Sequence, residues 1–204
     1  RDIFIRSLML QLVFFSITLQ GARLGDATVA ANALLLNGLL LAAHALDGLA
    51  HAVEALCGHA IGARDRLALR RSMVVACGWS LMASTAFALL FLFGGHLFVE
   101  MQTDIASVRE TAFQYLPYLA LLPLIAVWSY LLDGLFIGAT RAREMRNAML
   151  ISVVIAFPAA WALHGYGNHG LWISFLLFMV LRSLTLGVYA WKMQRKDEWF
   201  TPRA

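Results

Sequence analysis

The chain has 204 residues with a formal net charge of +4; 61% of them are hydrophobic and only 14% are charged. A soluble domain carries about a quarter charged residues and just under half apolar ones, so the mean hydropathy of +0.72 excludes an ordinary soluble protein. The apolar excess comes in long blocks with charges between them, as an integral membrane protein requires.

A run near 20 apolar residues matches the hydrocarbon thickness at helical rise. Six such spans are drawn, at about 3–20, 31–59, 72–95, 114–139, 147–164 and 170–191. The first, with Arg1 and Arg6 ahead of an apolar core, has the form of a signal peptide, but five further spans make it a helix of a bundle. The chain begins with Arg rather than Met, so a fragment of a longer protein is expected. "GARLGDATVAAN" (21–32) forms a short connection in which Asp26 or Thr28 is placed to cap the second helix. "SMVVACGWSLMASTAFALLFLF" (72–93) has no ionisable group apart from Cys77. Cys77 and Cys57 both fall inside spans and read as packing thiols, not as a disulfide framework.

"HLFVEMQTDIASVRETAFQ" (96–114) is acidic and amphipathic, and is expected to lie partly along the membrane interface. Pro117 and Pro123 should kink the fourth span, and Pro158 the fifth more mildly. "HGYGNHG" (164–170) is a tight glycine-rich turn. "GARDRLALRR" from Gly62 and "GATRAREMRN" from Gly138 echo each other, each taking a helix into a basic loop. With no Pro- or Ser-rich linker, the whole chain, 1–204, reads as one six-helix domain.

Lys and Arg in the connections set the orientation. Arg1, Arg6, Arg64, Arg66, Arg70, Arg71, Arg141, Arg143, Arg146, Lys192, Arg195, Lys196 and Arg203 fall on one face, against Arg23 and Arg109 on the other. The first face is assigned to the cytoplasm, with both ends of the segment inside. The positive charge is therefore a topology signal, with anionic lipid headgroups as partners of the basic loops and no place for nucleic acid.

Polar residues inside the spans are the candidate functional set, because each ionisable side chain costs on the order of 3 kcal/mol to insert. In "HALDGLAHAVEALCGH" (44–59), His44, Asp47, His51 and Glu54 fall within an arc of about 80° on a helix, and Asn37 extends that stripe outward. Leu46, Leu49, Val53 and Leu56 occupy the opposite side, so the stripe is expected to face the bundle interior or water. Residues stacked along one helix axis cannot surround an ion alone. With no HExxH and no second His or Cys cluster, no metal site is expected. Hydrogen bonding across helices and the lining of a relay or substrate path both remain open for the stripe. Arg182 lies mid-span in the sixth helix, too deep to snorkel easily, and is expected to pair with Asp133 or Glu54. Gln11 and Tyr130 are further residues able to line a cavity. In "GHAIGA", Gly58 and Gly62 are spaced for close helix approach.

These motifs together resemble the multidrug and toxic compound extrusion (MATE) family, within it the DNA-damage-inducible (DinF) branch. "ATVAANALLLNG" resembles the family's entry into the second helix of a lobe. "LDGLAHAVEALCGHAIGARDRLALRRS" resembles its exit and inner loop, where Gly58, Gly62 and Ala63 match the motif, and "LDGLFIGATRAREMRNAM" the stretch after the fourth helix. The resemblance implies an all-α membrane protein, a six-helix transmembrane bundle forming the C-terminal lobe of a twelve-helix transporter whose N-terminal lobe is the partner. It implies antiport in a bacterial inner membrane, with protons or sodium driving export of cationic or amphipathic small molecules. No cofactor other than the coupling ion and no enzymatic activity are expected. Asp47, Glu54 and Asp133 are the candidate coupling acids. The alternatives are a lipid-linked oligosaccharide flippase of the same superfamily, a membrane enzyme using the His and acid stripe, or a non-transporting assembly module.

Overall fold

The computed structural model describes residues 2–201; Arg1 and Arg203, two of the charges assigned to the basic face, lie outside them. The described residues form six α-helices: α1 (Asp2–Gly21), α2 (Asp26–Gly62), α3 (Arg66–Glu100), α4 (Ala106–Gly138), α5 (Ala142–Leu163) and α6 (Gly167–Arg195). Two 3-10 turns, His164–Tyr166 and Glu198–Phe200, complete the described elements, and no strand is present among them. An apolar medium offers the backbone no partner but itself, which is why long helices are the outcome. Five stretches are long and apolar enough to cross a membrane, the last running from Ala142 to Arg195 through both α5 and α6.

The helices overrun the expected spans. α2 has 37 residues, about 55 Å at helical rise, well beyond a hydrocarbon layer of about 30 Å. The segment 96–114 is no interfacial helix. It is the end of α3, a short connection and the start of α4, stapled by Arg109, which donates to Thr103 O (2.7 Å) and Asp104 Oδ1 (3.0 Å). α4 continues through Pro117 and Pro123 without a break. Neither Asp26 nor Thr28 caps α2: the N-cap is Gly25, at φ 100°, with no side-chain bond. The side-chain cap belongs to α3, where Asp65 accepts from Ala68 N–H at 2.9 Å.

The two echoing loops are one piece of local geometry used twice. Arg64 N–H reaches Ile61 O and Asp65 N–H reaches Ala60 O; Thr140 N–H reaches Ile137 O and Arg141 N–H reaches Phe136 O. Both are Schellman closures, with Arg64 and Thr140 in the left-handed region at φ 56° and 58°.

α4 is the central helix, packed against α2, α3 and α6, while α5 joins α6 and α1 lies on α5. Two apolar clusters fill the bundle. One, around Leu35, Leu119, Trp172 and Phe175, lies toward the α5–α6 turn; the other, around Cys57, Phe136, Met145 and Trp199, lies toward the basic end. Asn32 and Asn168 exchange amide hydrogen bonds (2.7 and 3.0 Å), and Trp172 Nε1 donates to Asn32 Oδ1 at 3.0 Å, joining α2 to α6 without leaving these buried amides unpaired.

α2 and α4 meet backbone to backbone. A Cβ on Gly134 would lie 2.3 Å from Ala50 O, and one on Gly138 2.4 Å from Glu54 O. Gly58 faces Gly138 across this contact, but Gly62 has open space around it, so the expected close approach uses only one of its two glycines. Gly138→Ala should therefore destabilise the bundle by about 2–4 kcal/mol, while Gly62→Ala should stay within about 0.5 kcal/mol. Denaturant unfolding in mild detergent, followed by helicity, separates the two.

Candidate functional site

α4 carries Asp133 one turn before its basic end, at the junction between the two apolar clusters. The residue is 7% exposed, a position tolerable for a carboxylate only with partners, since an unpaired buried charge costs several kcal/mol. Two guanidinium groups meet it from different helices. Arg6 Nη1 on α1 donates to Asp133 Oδ2 at 2.8 Å, and Arg182 Nη2 on α6 donates to the same oxygen. Arg182, 3% exposed, also lies over the Tyr130 ring, 5.8 Å from its centroid, a distance at which a cation gains from the ring face. Of the two partners open to Arg182, Asp133 takes it and Glu54 does not.

Oδ1 of Asp133 and the Nε atoms of Arg6 and Arg182 are buried without a hydrogen-bond partner. The cluster holds two cations against one anion, so it is not neutral on its own. Asp47 on α2 lies within electrostatic range of both Asp133 and Arg182.

Of the two settings expected for the stripe on α2, the interior of its own bundle is not the one it takes. Leu46, Val53 and Cys57 are buried in the bundle, whereas His44, Asp47 and His51 are exposed and Glu54 is half-buried. The polar face turns away from its own helices. The cause is the glycine contact: Ala50, Glu54 and Gly58 present their backbone to Gly134 and Gly138, which rolls the flanking polar side chains outward. Leu56, on the supposed apolar back, is itself 53% exposed. His44 Nδ1 lies 2.6 Å from Leu40 O, and His51 Nδ1 lies 3.4 Å from Glu54 Oε2. Asn37 Nδ2 donates to Gln102 Oε1 at 3.3 Å, which ties the stripe's upper end to the α3–α4 connection. Gln11 is exposed on α1 and makes no hydrogen bond to a described residue. Ala63 forms the C-cap of α2, between Gly62 and the left-handed Arg64. No group of three His, Cys, Asp or Glu placed to hold a metal occurs among the described residues.

Arg6, which the charge pattern assigns only to the basic face, is the member of this cluster that this pattern does not announce. Its position inside the apolar run that begins at Ile3 was the available signal, because a cation one turn into a span needs a partner.

Comparison with known proteins bears on what such a bundle is. The MatE family model matches residues 3–162. The chain is 42% identical over 200 residues to the DNA damage-inducible protein F of Escherichia coli (strain K12), covering 98% of this chain and 44% of that protein. Among solved structures, a MOP superfamily transporter from Pyrococcus furiosus Vc1 (DSM3638), described by the reverse polarity of its binding pocket, superposes with a TM-score of 0.82. It is 20% identical, and the match covers 99% of this chain and 46% of that one. A MATE structure in the bent conformation gives a TM-score of 0.81 at 21% identity, covering 99% of this chain and 47% of that one. The chain thus spans less than half the length of each of these relatives.

The charge cluster orders its own variants. Asp133→Asn leaves two guanidinium groups facing each other and should cost about 3–5 kcal/mol. Arg182→Gln leaves the Arg6–Asp133 pair in place and should cost visibly less. A direct Asp133/Arg182 swap should fail to restore stability, because Arg6 then faces the wrong sign. Unfolding of each variant in detergent measures the order.

Proposed function

The chain belongs to the MatE family, a family of multi-pass membrane transporters, and on that premise we propose that it forms one wall of a secondary antiporter. The whole protein exports cationic or amphipathic compounds in exchange for protons or sodium. A second six-helix lobe supplies the facing wall, and the two alternate access to the two sides of a bacterial inner membrane. The basic end, where the α2–α3 and α4–α5 turns and the terminal 3-10 turn meet, faces the cytoplasm.

The observation that carries this reading is the outward polar face of α2. Exposed to lipid, His44, Asp47 and His51 would each cost a few kcal/mol; facing a watered cleft, they cost little and can meet a cargo. Asp47 is the acid best placed to exchange a coupling ion, since it is exposed on the face turned toward the second lobe, where a coupling cation and a cationic substrate can compete for one carboxylate. Glu54 and His51 tune that exchange as neighbours on the same face. Asp133, held by two guanidinium groups, anchors α1, α4 and α6 and exchanges no ion.

Arg6 and Arg182 also favour a second reading. Their excess positive charge would attract the phosphates of a lipid-linked oligosaccharide at a distance, although both guanidinium groups are buried on Asp133 and touch no cargo themselves.

Two experiments test the first reading. Asp47→Asn combined with Glu54→Gln in the full-length transporter should reduce proton-driven export of a cationic dye from vesicles about tenfold, the loss of one charge-assisted interaction; undiminished export sinks it. Cysteines placed at His44 and His51 should react with a membrane-impermeant maleimide in the assembled transporter, whereas one at Val154, on the outer side of α5, should not.

A further inference from the structure

The basic end carries an open cavity of about 650 Å³ that the transport reading does not use. This is the size of a ligand site, about 300–1,000 Å³. It lies between α3 and α6, under Asp197 and Phe200 near the C-terminus of the described residues. One side is apolar, formed by Met73, Val74, Leu132 and Trp191. Val74 and Trp191 are 65% and 55% exposed, which in a membrane helix means that the slot opens sideways toward lipid.

The other side is cationic. Arg66 and Arg70 sit one turn apart at the start of α3, with Gln194 facing them from α6. Arg66 is already engaged: it donates to Asp197 and lies over the Phe200 ring, 5.7 Å from its centroid. Arg70 is exposed and makes no ion pair with any described residue. Arg195 lies over the Trp191 ring at 4.2 Å, holding the indole at the lip. A cation without a counter-ion thus stands at the head of an apolar slot, at the level where α3 leaves the membrane.

The geometry points to a site for one anionic phospholipid, its phosphodiester between Arg70 and Arg66 and an acyl chain along Met73, Val74 and Trp191. A free phosphate would answer the arginines and leave the apolar wall unfilled. A zwitterionic lipid would fill the wall but bring its own cation to Arg70. An anionic lipid meets both halves, as basic pockets between membrane helices do with acidic headgroups. Asp197 offsets Arg66, so Arg70 decides the selectivity. The site is independent of the α2 stripe and of what the transporter carries.

Native mass spectrometry of the purified full-length transporter, titrated with phosphatidylglycerol or phosphatidylcholine, tests this. Phosphatidylglycerol should bind at least about fivefold more tightly, the effect of one basic residue near an anionic surface. Arg70→Gln should remove that preference, with no loss of thermal stability because Arg70 holds nothing in the fold. Met73→Trp, which fills the slot without changing charge, should weaken both lipids. Equal binding of the two lipids, or an unchanged preference in Arg70→Gln, overturns the proposal. So does competition by soluble glycerol phosphate at the concentration of the lipid, which would make this a soluble-anion site.

Discussion

A carboxylate cannot be left unaccompanied between apolar side chains, and the placing of Asp133 imposes that condition on half of the bundle. The residue sits where the two apolar clusters meet, on the most buried helix, and draws Arg6 from α1 and Arg182 from α6 to one oxygen. α1 depends on this most. It buries only Val13 and Gly21, so packing alone fixes it weakly. Its basic end is held instead by Arg6 on Asp133 and by Asp2, which accepts from Arg146 at 2.7 Å. α1 is thus held by charge at its basic end and, further along, by Met9, Leu10, Phe14 and Ile17 against the core.

The same end shows how a membrane protein keeps short loops rigid. Each Schellman closure satisfies carbonyls in the last turn of its helix, and each uses a left-handed residue, Arg64 or Thr140, to do it. Arg141 then donates to the carbonyls of Glu198 and Thr201, and Trp199 packs against Phe136 with ring centroids 5.5 Å apart. The basic residues that orient the chain are consequently presented at fixed positions, which is what allows Arg66 and Arg70 to form a site at all.

Much of this was legible in the sequence. Composition and block length located the helices, and the cost of a mid-span guanidinium was enough to predict a partner for Arg182 and to name Asp133 among two. What the sequence hid was direction. In water, the polar side of a helix faces out by default; in a bilayer, the lipid and the core are equally apolar, so periodicity separates the sides of α2 without saying which is outside. The answer lay on the other helix, in Gly134 and Gly138, whose spacing of four within "LDGLFIG" is the close-packing signal that Gly58 and Gly62 only half supply. Arg6 was concealed by resembling a flanking charge. Asp26 shows the limit of cap reasoning: it is already the first residue of α2, behind Gly25, whereas Asp65 stands one residue ahead of α3 and reaches an amide.

The α2–α4 crossing has a mechanical consequence. Helices that touch through side chains can slide as rotamers change, but two that touch through backbone atoms have nothing between them to deform. Ala50, Glu54 and Gly58 on one, with Gly134 and Gly138 on the other, therefore weld α2 and α4 into a single strut. α1, which buries only Val13 and Gly21 fully, lies outside that strut and meets it through Arg6 on Asp133. A displacement of α2 must therefore carry α4 with it, and with α4 goes Asp133, the neighbour of Gly134 and the point at which α1 and α6 are fastened.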